Sequence, residues 1–235
     1  MRSYFCLGVA VFFLTGFWSG RSVYAQAGGQ SSSSGSRTRA KPPAASAAGQ
    51  SALDPGSVVN GVYRNKALGL IGKVPAGWVL RTEEMNAREE SGDESGIAAR
   101  GTNSGDCPDG CSEVLLAAFS RPPEARGEDI NSSILIAAES VAAYPGLKEA
   151  AQYFGPLAEV AKAQGFVVDE EPYEYALGDK KLVREDFHKD VGTRVMRQST
   201  LAFLSHGFAV SITVIAGSED EVEELIDGIS FAGKS

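Results

Sequence analysis

The chain has 235 residues, a formal net charge of −8, 43% hydrophobic residues and 22% charged residues. This composition is typical of a globular protein. After subtraction of the low-complexity segment described below, the remaining length is enough for one domain. The acidic balance argues against nucleic acid or anionic lipid as a partner, because both are bound through basic surfaces.

The N-terminus has the layout of a secretory signal peptide. Arg2 precedes an apolar run over residues 4–18, and small residues follow as far as Ala25 and Ala27. The pattern predicts a signal peptide over residues 1–25, cleaved after Ala25 or Ala27, and hence a secreted or periplasmic protein. Because the apolar run is shorter than the roughly 20 residues of a spanning helix, we expect no stable membrane span after cleavage. An uncleaved anchor is the alternative.

Residues 26–57 are dominated by Ser, Ala, Gly, Pro and Gln and contain almost no large apolar side chains. Such a segment buries too little surface to offset the entropy lost on ordering, so it is predicted to be a flexible tether. Residues 58–235 are predicted to form a single α+β domain.

The first predicted element of this domain is a β-hairpin over residues 62–78. Its second half alternates from Leu68 to Val74, which is the period-2 pattern of a half-buried strand. Pro75 ends the strand, and a Pro-Ala-Gly turn leads to Trp78. Trp78 is the only tryptophan outside the predicted signal peptide.

A short acidic helix is predicted from Thr82, and a Gly-, Asn- and Asp-rich loop over residues 96–110. Two strands follow at residues 113–120 and 133–140. Both are apolar on their two faces, so we expect them in the middle of a sheet that is covered on either side.

The pattern then becomes helical over residues 146–164. One stripe of this helix is apolar, and its members are Leu147, Ala151, Phe154, Ala158 and Ala161. Gly155-Pro156 interrupts the pattern, which predicts a kink or two short helices with Pro156 in a first turn.

The last third reads as an antiparallel meander with a closing helix. Strands are predicted at residues 166–177, 181–190, 194–205 and 208–216, joined by short turns at Gly178-Asp179, Val191-Gly192 and His206-Gly207. The last of these turns sets Phe203 opposite Val210 and Leu201 opposite Ile212. A capping-box sequence at Ser218 opens the helix, whose predicted buried stripe is Val222, Leu225, Ile226 and Ile229.

This order of elements, with Tyr63 and the G-x-x-P-x-G-W ending of the hairpin from Gly72 to Trp78, resembles the PsbP/Mog1-like fold family. The resemblance implies an antiparallel sheet sandwiched between helices. It also implies an accessory or assembly factor that docks to a protein partner and has no shared active site or cofactor.

Cys107 and Cys111 are the only cysteines that follow the predicted signal peptide. In an oxidising compartment they are expected to pair as a disulfide that closes a tight turn. A redox couple and half of a metal site are the alternatives. Zinc would need two further ligands, and redox motifs space their cysteines by two residues, so both are disfavoured.

His188 and His206 are the only histidines. The predicted meander sets them at opposite ends of its strands, which argues against a shared catalytic or metal site. Asp186 and His188 share a strand face, but the predicted turn at Val191-Gly192 sets Asp186 opposite Arg197, and a cross-strand ion pair is expected there.

The acidic clusters Glu83-Glu84, Glu89-Glu90 and Asp169-Glu170-Glu171 lack the spacing of a calcium loop and are predicted to be solvated surface. No nucleophile elbow or phosphate-binding loop is present. The sequence therefore favours a non-enzymatic protein-binding module that uses a sheet edge or the cysteine loop. The rival is a small-ligand carrier or enzyme with a site between sheet and helix, built on Tyr173, Tyr175, Asp186 and His188.

Overall fold

The computed structural model describes residues 53–91, 112–127, 129–144 and 146–232. The predicted signal peptide, most of the predicted tether, Cys107 and Cys111 lie outside these residues. The described part is a mixed α and β fold made mostly of strands, with two antiparallel sheets and three α-helices.

The smaller sheet has four strands and joins the two ends of the described chain. Its spatial order is β1 (Ser57–Val59), β2 (Val62–Asn65), β3 (Leu70–Lys73) and β12 (Ile229–Phe231). The predicted opening hairpin is confirmed as β2 and β3, which pair in antiparallel register.

The larger sheet has eight strands, all paired antiparallel. Six of its strands follow one another in the spatial order β4 (Val79–Leu80), β5 (Ser112–Phe119), β6 (Ser133–Ser140), β11 (Phe208–Ala216), β10 (Arg194–Ser205) and β9 (Lys180–Val191). The other two strands, β7 (Val167–Val168) and β8 (Tyr173–Leu177), both pair with the outer side of β9. Strands β5 and β6 are almost entirely buried, as their two-sided apolar pattern predicts.

The helices are α1 (Thr82–Ser91), α2 (Ala151–Ala163) and α3 (Glu219–Asp227), with one 3₁₀ turn at Val141–Ala143. Helix α3 begins as predicted, because the Ser218 hydroxyl accepts a hydrogen bond from the Glu221 amide at 3.2 Å. It packs on β10 and β11.

Two apolar layers lie on either side of the large sheet. On one face, α2 packs its Phe154 and Leu157 against Phe187 and Ala202 of the sheet, and by strand alternation α1 lies on the same face over β5 and β6. On the other face, Leu201 and neighbouring side chains meet α3 and the small sheet. A second sheet thus shares this face with α3, and the predicted sheet sandwiched between helical layers is not confirmed.

The turn residues account for the hairpin registers. His206 has φ 52° and Gly207 has φ 81°, the pair of positive values that a type I′ turn requires. The predicted pairs Phe203 with Val210 and Leu201 with Ile212 are confirmed.

The predicted turn at Val191-Gly192 is wrong by one residue. The turn lies at Gly192-Thr193, so that Val191 pairs with Arg194. A type II′ turn needs positive φ at its first position, which Gly192 supplies with φ 64°, whereas the β-branched Val191 would be strained there. Each cross-strand partner moves by two residues, and each side chain stays on its predicted face.

Two predicted elements differ in their continuity. The helix predicted over residues 146–164 is the single helix α2, which contains Pro156 as its sixth residue, so the prediction of Pro156 in a first turn is wrong. The strand predicted over residues 166–177 is split into β7 and β8. Pro172 lies in the intervening loop and cannot donate to a sheet.

The last residues of the predicted tether contact the domain. Leu53 is buried in the core of the small-sheet side. The Asn65 side chain donates to the Asp54 carbonyl at 2.6 Å, and the Tyr63 hydroxyl donates to the Pro55 carbonyl at 2.9 Å. The fold therefore extends at least to Leu53 rather than beginning at residue 58.

Helix α1 satisfies the backbone of the outer side of β5. The Asn86 side chain accepts from the Val114 amide at 2.9 Å and donates to the Val114 carbonyl at 3.0 Å, as a neighbouring strand would. Thr82 accepts from the Ala117 amide at 3.0 Å. Side chains of a helix thus bond to the part of β5 that the short strand β4 does not cover.

Substitution Asn86→Ala is expected to lower the free energy of unfolding by about 1–3 kcal/mol, because it leaves both backbone groups of the buried Val114 unpaired. Urea titration measures the change. The matched control is Glu83→Ala, an exposed position on the same helix. If both variants unfold at the wild-type midpoint, the edge does not depend on Asn86.

Candidate functional site

Strand alternation on β8 and β9 brings all four residues of the predicted rival site to one face of the large sheet. Arg184, Asp186 and His188 alternate along β9 on the side of α3, and Tyr173 of β8 pairs directly with Arg184. We call the group formed by Tyr173, Tyr175, Arg184, Asp186 and Glu223 the Arg184 cluster.

Arg184 holds this cluster together. Its Nε donates to both Asp186 carboxylate oxygens at 3.0 and 3.1 Å, and its Nη2 donates to Glu223 of α3 at 2.5 Å. The Tyr173 hydroxyl donates to Asp186 at 2.7 Å. The Tyr175 ring lies 5.1 Å from the guanidinium carbon, a cation–π distance.

Burial and hydrogen bonding together determine the protonation of two members of the Arg184 cluster. Burial lowers the pKa of Arg184, which is only 7% exposed, but hydrogen bonds to Glu223 and Asp186 outweigh it and the net pKa is raised. Burial and the hydrogen bond donated to Asp186 raise the pKa of Tyr173 above its usual value. Arg184 therefore stays cationic and Tyr173 stays neutral, so the cluster joins α3 to the strands as a permanent ion-pair network.

His188 lies outside the Arg184 cluster, in the next row of the sheet. Its Nδ1 contacts the Asp169 carboxylate, and its cross-strand neighbour Arg197 pairs with Glu219 of α3 at 2.9 Å. The predicted Asp186–Arg197 ion pair is wrong, because the turn at Gly192 moves the register by two residues.

The two histidines do not share a site. His188 is opposite Arg197 near the start of β10, whereas His206 lies in the turn after the end of β10. Ser199 is the serine near His188, because it lies on the same face of the sheet as the cross-strand neighbour of Asp186. Its hydroxyl is fully buried and has no hydrogen-bond partner among the described residues. Asp169, His188 and Ser199 are therefore not joined as a nucleophilic triad.

The α2 face of the large sheet contains two buried carboxylates that the sequence analysis did not single out. Glu139 accepts hydrogen bonds from the Tyr144 hydroxyl at 2.7 Å and from the Tyr153 hydroxyl at 2.8 Å. Burial raises the pKa of Glu139, and the two phenol bonds partly oppose the rise. This group ties α2 to β6.

The second carboxylate, Glu185, is less well paired. It is 2% exposed, and its Oε2 has no hydrogen-bond partner within the described ranges. Burial raises its pKa to about 7, the charge of Glu171 adds to the rise, and Lys162 of α2 opposes it. The signal that could have revealed it is strand alternation, which sets Glu185 between Val183 and Phe187 on the face of β9 that packs against α2.

A shallow cleft of about 550 Å³ lies beside the N-terminus of α3. Its charged side chains have partners: Arg194 contacts the Asp129 carboxylate, Arg121 donates to the Asp129 carbonyl, and Glu221 accepts from the Ser132 hydroxyl at 2.6 Å. The lining residues are Ser120, Arg121, Asp129, Ile130, Ser132, Arg194, Val195, Gly217 and Glu221.

No three His, Cys, Asp or Glu side chains come together as a metal site within the described residues. Glu83, Glu84, Glu170 and Glu171 are exposed. No described helix combines the length and apolar character needed to cross a membrane. The predicted disulfide between Cys107 and Cys111 lies outside the described part of the chain.

No family model matches the chain, and no curated protein matches it. Among solved structures it is similar to LpqN of Mycobacterium tuberculosis, which is involved in cell envelope biogenesis, at 14% identity and a TM-score of 0.36, over 70% of this chain and 83% of that one. It is also similar to PA94 of Pseudomonas aeruginosa, a protein of unknown function, at 12% identity and a TM-score of 0.36, over 55% and 87% of the two chains. Neither likeness supports a statement about function, and the PsbP/Mog1-like family stays a prediction.

Substitution Arg184→Met keeps much of the side-chain volume but leaves Asp186 without its cation. It is expected to lower the free energy of unfolding by about 3 kcal/mol, the lower end for a broken buried ion pair. Urea titration measures this. Lys181→Met is the control, since Lys181 and Glu174 form a pair with both side chains 83% exposed, and its cost is expected to be below about 0.5 kcal/mol. Equal stability of the two variants would contradict the buried network.

Substitution Glu185→Gln tests the raised pKa. Between the ordinary value of 4.5 and the folded value of about 7, the folded chain binds more protons than the unfolded chain, so wild-type stability falls as pH rises through this window. The glutamine variant lacks this loss. Its stability relative to wild type should therefore grow by about 1–3 kcal/mol from pH 4 to pH 8.

Unfolding curves of both chains at each pH measure this difference. Glu224→Gln, at an exposed position of α3, is the control and should follow wild type at every pH. Parallel stability–pH curves for wild type and Glu185→Gln would refute a raised pKa at Glu185.

Proposed function

We propose that this chain is an exported, non-enzymatic accessory module that binds another protein chain through the open edge of its large sheet. The bound segment adds as a further strand beside β8. The signal-peptide pattern over residues 1–25 and the polar segment that follows support the exported location.

The observation that carries the proposal is the difference between the two edges of the large sheet. At one edge, the two-residue strand β4 pairs with the end of β5, and Thr82 and Asn86 of α1 satisfy backbone groups farther along β5. At the other edge, β8 pairs with β9 on one side, and no described strand pairs with its outer side. Strand β12 contacts β8 without pairing with it. An unpaired edge is a template for strand addition.

The hairpin register defines which groups of β8 are available. Leu177 and Lys180 flank the two-residue turn, so they exchange both backbone hydrogen bonds, and such pairs alternate along the ladder. The N–H and C=O groups of Glu174 and Ala176 therefore point away from β9. Both residues are exposed.

Substitution Ala176→Pro removes one outward N–H and leaves the hydrogen bonds between β8 and β9 in place. Proline is tolerated on an edge strand, so the variant should fold, which circular dichroism and the unfolding midpoint verify. We expect it to lose a partner that the wild-type chain retains in stoichiometric amount during cross-linked purification from the native envelope.

Ala176→Ser is the matched control, because it keeps both the N–H and a small side chain, and it should retain the partner. Amide hydrogen exchange should show Glu174 and Ala176 becoming protected on binding. Retention of the same partner by Ala176→Pro at unchanged stoichiometry would overturn binding at this edge.

A further inference from the structure

We infer that the chain that fits the open edge is a second copy of this chain, joined β8 to β8 in antiparallel register about a two-fold axis at Tyr175. The inference rests on the proposed function, since it takes the β8 edge to be a protein-binding surface. It adds the identity of the occupant and the register of the contact.

The limits of the edge determine the register. Pro172 has no N–H to donate on one side, and the turn that begins at Gly178 ends the strand on the other. Between these limits only Glu174 and Ala176 present outward backbone groups. Antiparallel pairing centred on Tyr175 sets each Glu174 opposite Ala176 of the other copy, so all four outward residues exchange both of their hydrogen bonds.

The alternative antiparallel registers use fewer of these groups. A register centred on Glu174 sets the two Glu174 carboxylates directly opposite each other, which is unfavourable, and brings Ala176 against Pro172. A register centred on Ala176 leaves Glu174 opposite the turn residue Gly178. The register centred on Tyr175 is the one that pairs both outward residues in both copies.

The side chains agree with the register centred on Tyr175. Within one copy, Ala176 is the cross-strand neighbour of Lys181. In the dimer, Glu174 of the other copy would lie on the far side of Ala176 in the same cross-strand row. Because the Ala176 side chain is only a methyl group, Lys181 has room to reach across it to that carboxylate. At the axis the two Tyr175 residues form a pair without mutual backbone hydrogen bonds, in which cross-strand side chains come closest and aromatic pairs are favoured.

The contact is small. Five residues of one strand cover much less than the roughly 1,200 Å² at which standard protein interfaces begin, so the dimer is expected to be weak and to form as concentration rises. Within one copy, the Lys181 Nζ lies 3.8 Å from the Glu174 carboxylate, and both side chains are 83% exposed. Each side chain can therefore pair with its oppositely charged counterpart in the other copy, and no charge is left buried and unpaired.

Disulfide trapping tests the axis directly. With Tyr175→Cys, the two Cα atoms of a pair at the axis lie about 4.5 Å apart, within the range that a disulfide spans. Mild oxidation of the purified chain is expected to give a covalent dimer on a non-reducing gel. Lys181→Cys, at a position more exposed than Tyr175 but one strand away from the contact, and the wild-type chain with its native cysteines should give little covalent dimer.

Sedimentation equilibrium supplies an independent measurement on the same chain. Wild type and Ala176→Ser should show a monomer–dimer equilibrium, and Ala176→Pro should weaken it at least tenfold. Glu174→Lys should weaken it similarly by facing Lys181 of the other copy, and the double substitution Glu174→Lys with Lys181→Glu should restore it.

The two proposals fail separately. If Tyr175→Cys does not cross-link and wild type is monomeric at every concentration, the proposal that a second copy binds the edge is refuted. If Ala176→Pro then loses a different protein that wild type binds, the edge is still a binding surface. If Ala176→Pro also retains every association of wild type, the edge itself is refuted. Cross-linking of Lys181→Cys as fast as Tyr175→Cys would refute the register.

Discussion

The hairpin formed by β10 and β11 must be covered on both faces, and the rest of the fold is arranged to meet this requirement. Leu201 and Ile212 point to one side, and Ala202 and Ala209 point to the other. The α2 face combines large side chains, among them Phe154 and Phe187, with the small Ala202 and Ala209 of the two strands. The opposite face packs against α3 and the small sheet.

This double burial explains why charged groups inside the layers are so closely paired. Arg184 enters the small-sheet side only because Asp186, Glu223 and the Tyr175 ring surround it. Glu139 enters the α2 side with two phenol hydroxyls. Glu185 is the exception, since its Oε2 has no hydrogen-bond partner among the described residues, and burial, with the charge of Glu171 adding to it, raises its pKa.

Patterns that are local in sequence were sufficient to predict much of the large sheet. Strand β6 follows from a run that is apolar on both faces, and the His206-Gly207 turn follows from residues that tolerate positive φ. The turn at Gly192 was misplaced by one residue, which shifts every cross-strand partner by two residues and so leaves every side chain on its predicted face. Only the need for positive φ at the first turn position distinguishes the predicted register from the observed one. The Asp186–Arg197 pair failed for the same reason.

Two strands of the small sheet could not be predicted from local sequence patterns. Strands β1 and β12 have three residues each, too few for a recognisable period, and β12 pairs with β3 far away in sequence. The Arg184 cluster was predictable in part, since alternation sets Asp186 and Tyr173 near each other, but the role of Arg184 depends on where α3 lies. That position is a tertiary outcome, which no single segment encodes.

The first and last strands of the described fold, β1 and β12, are the two edges of the same four-stranded sheet. At about 4.8 Å between neighbouring strands, they lie roughly 14 Å apart. A mechanical load applied through the N-terminal segment would therefore act first on β1, which would unzip from β2 before the eight-stranded sheet bears any force. The same proximity makes the fold suited to circular permutation, with a short linker across the small sheet and new ends at an exposed turn.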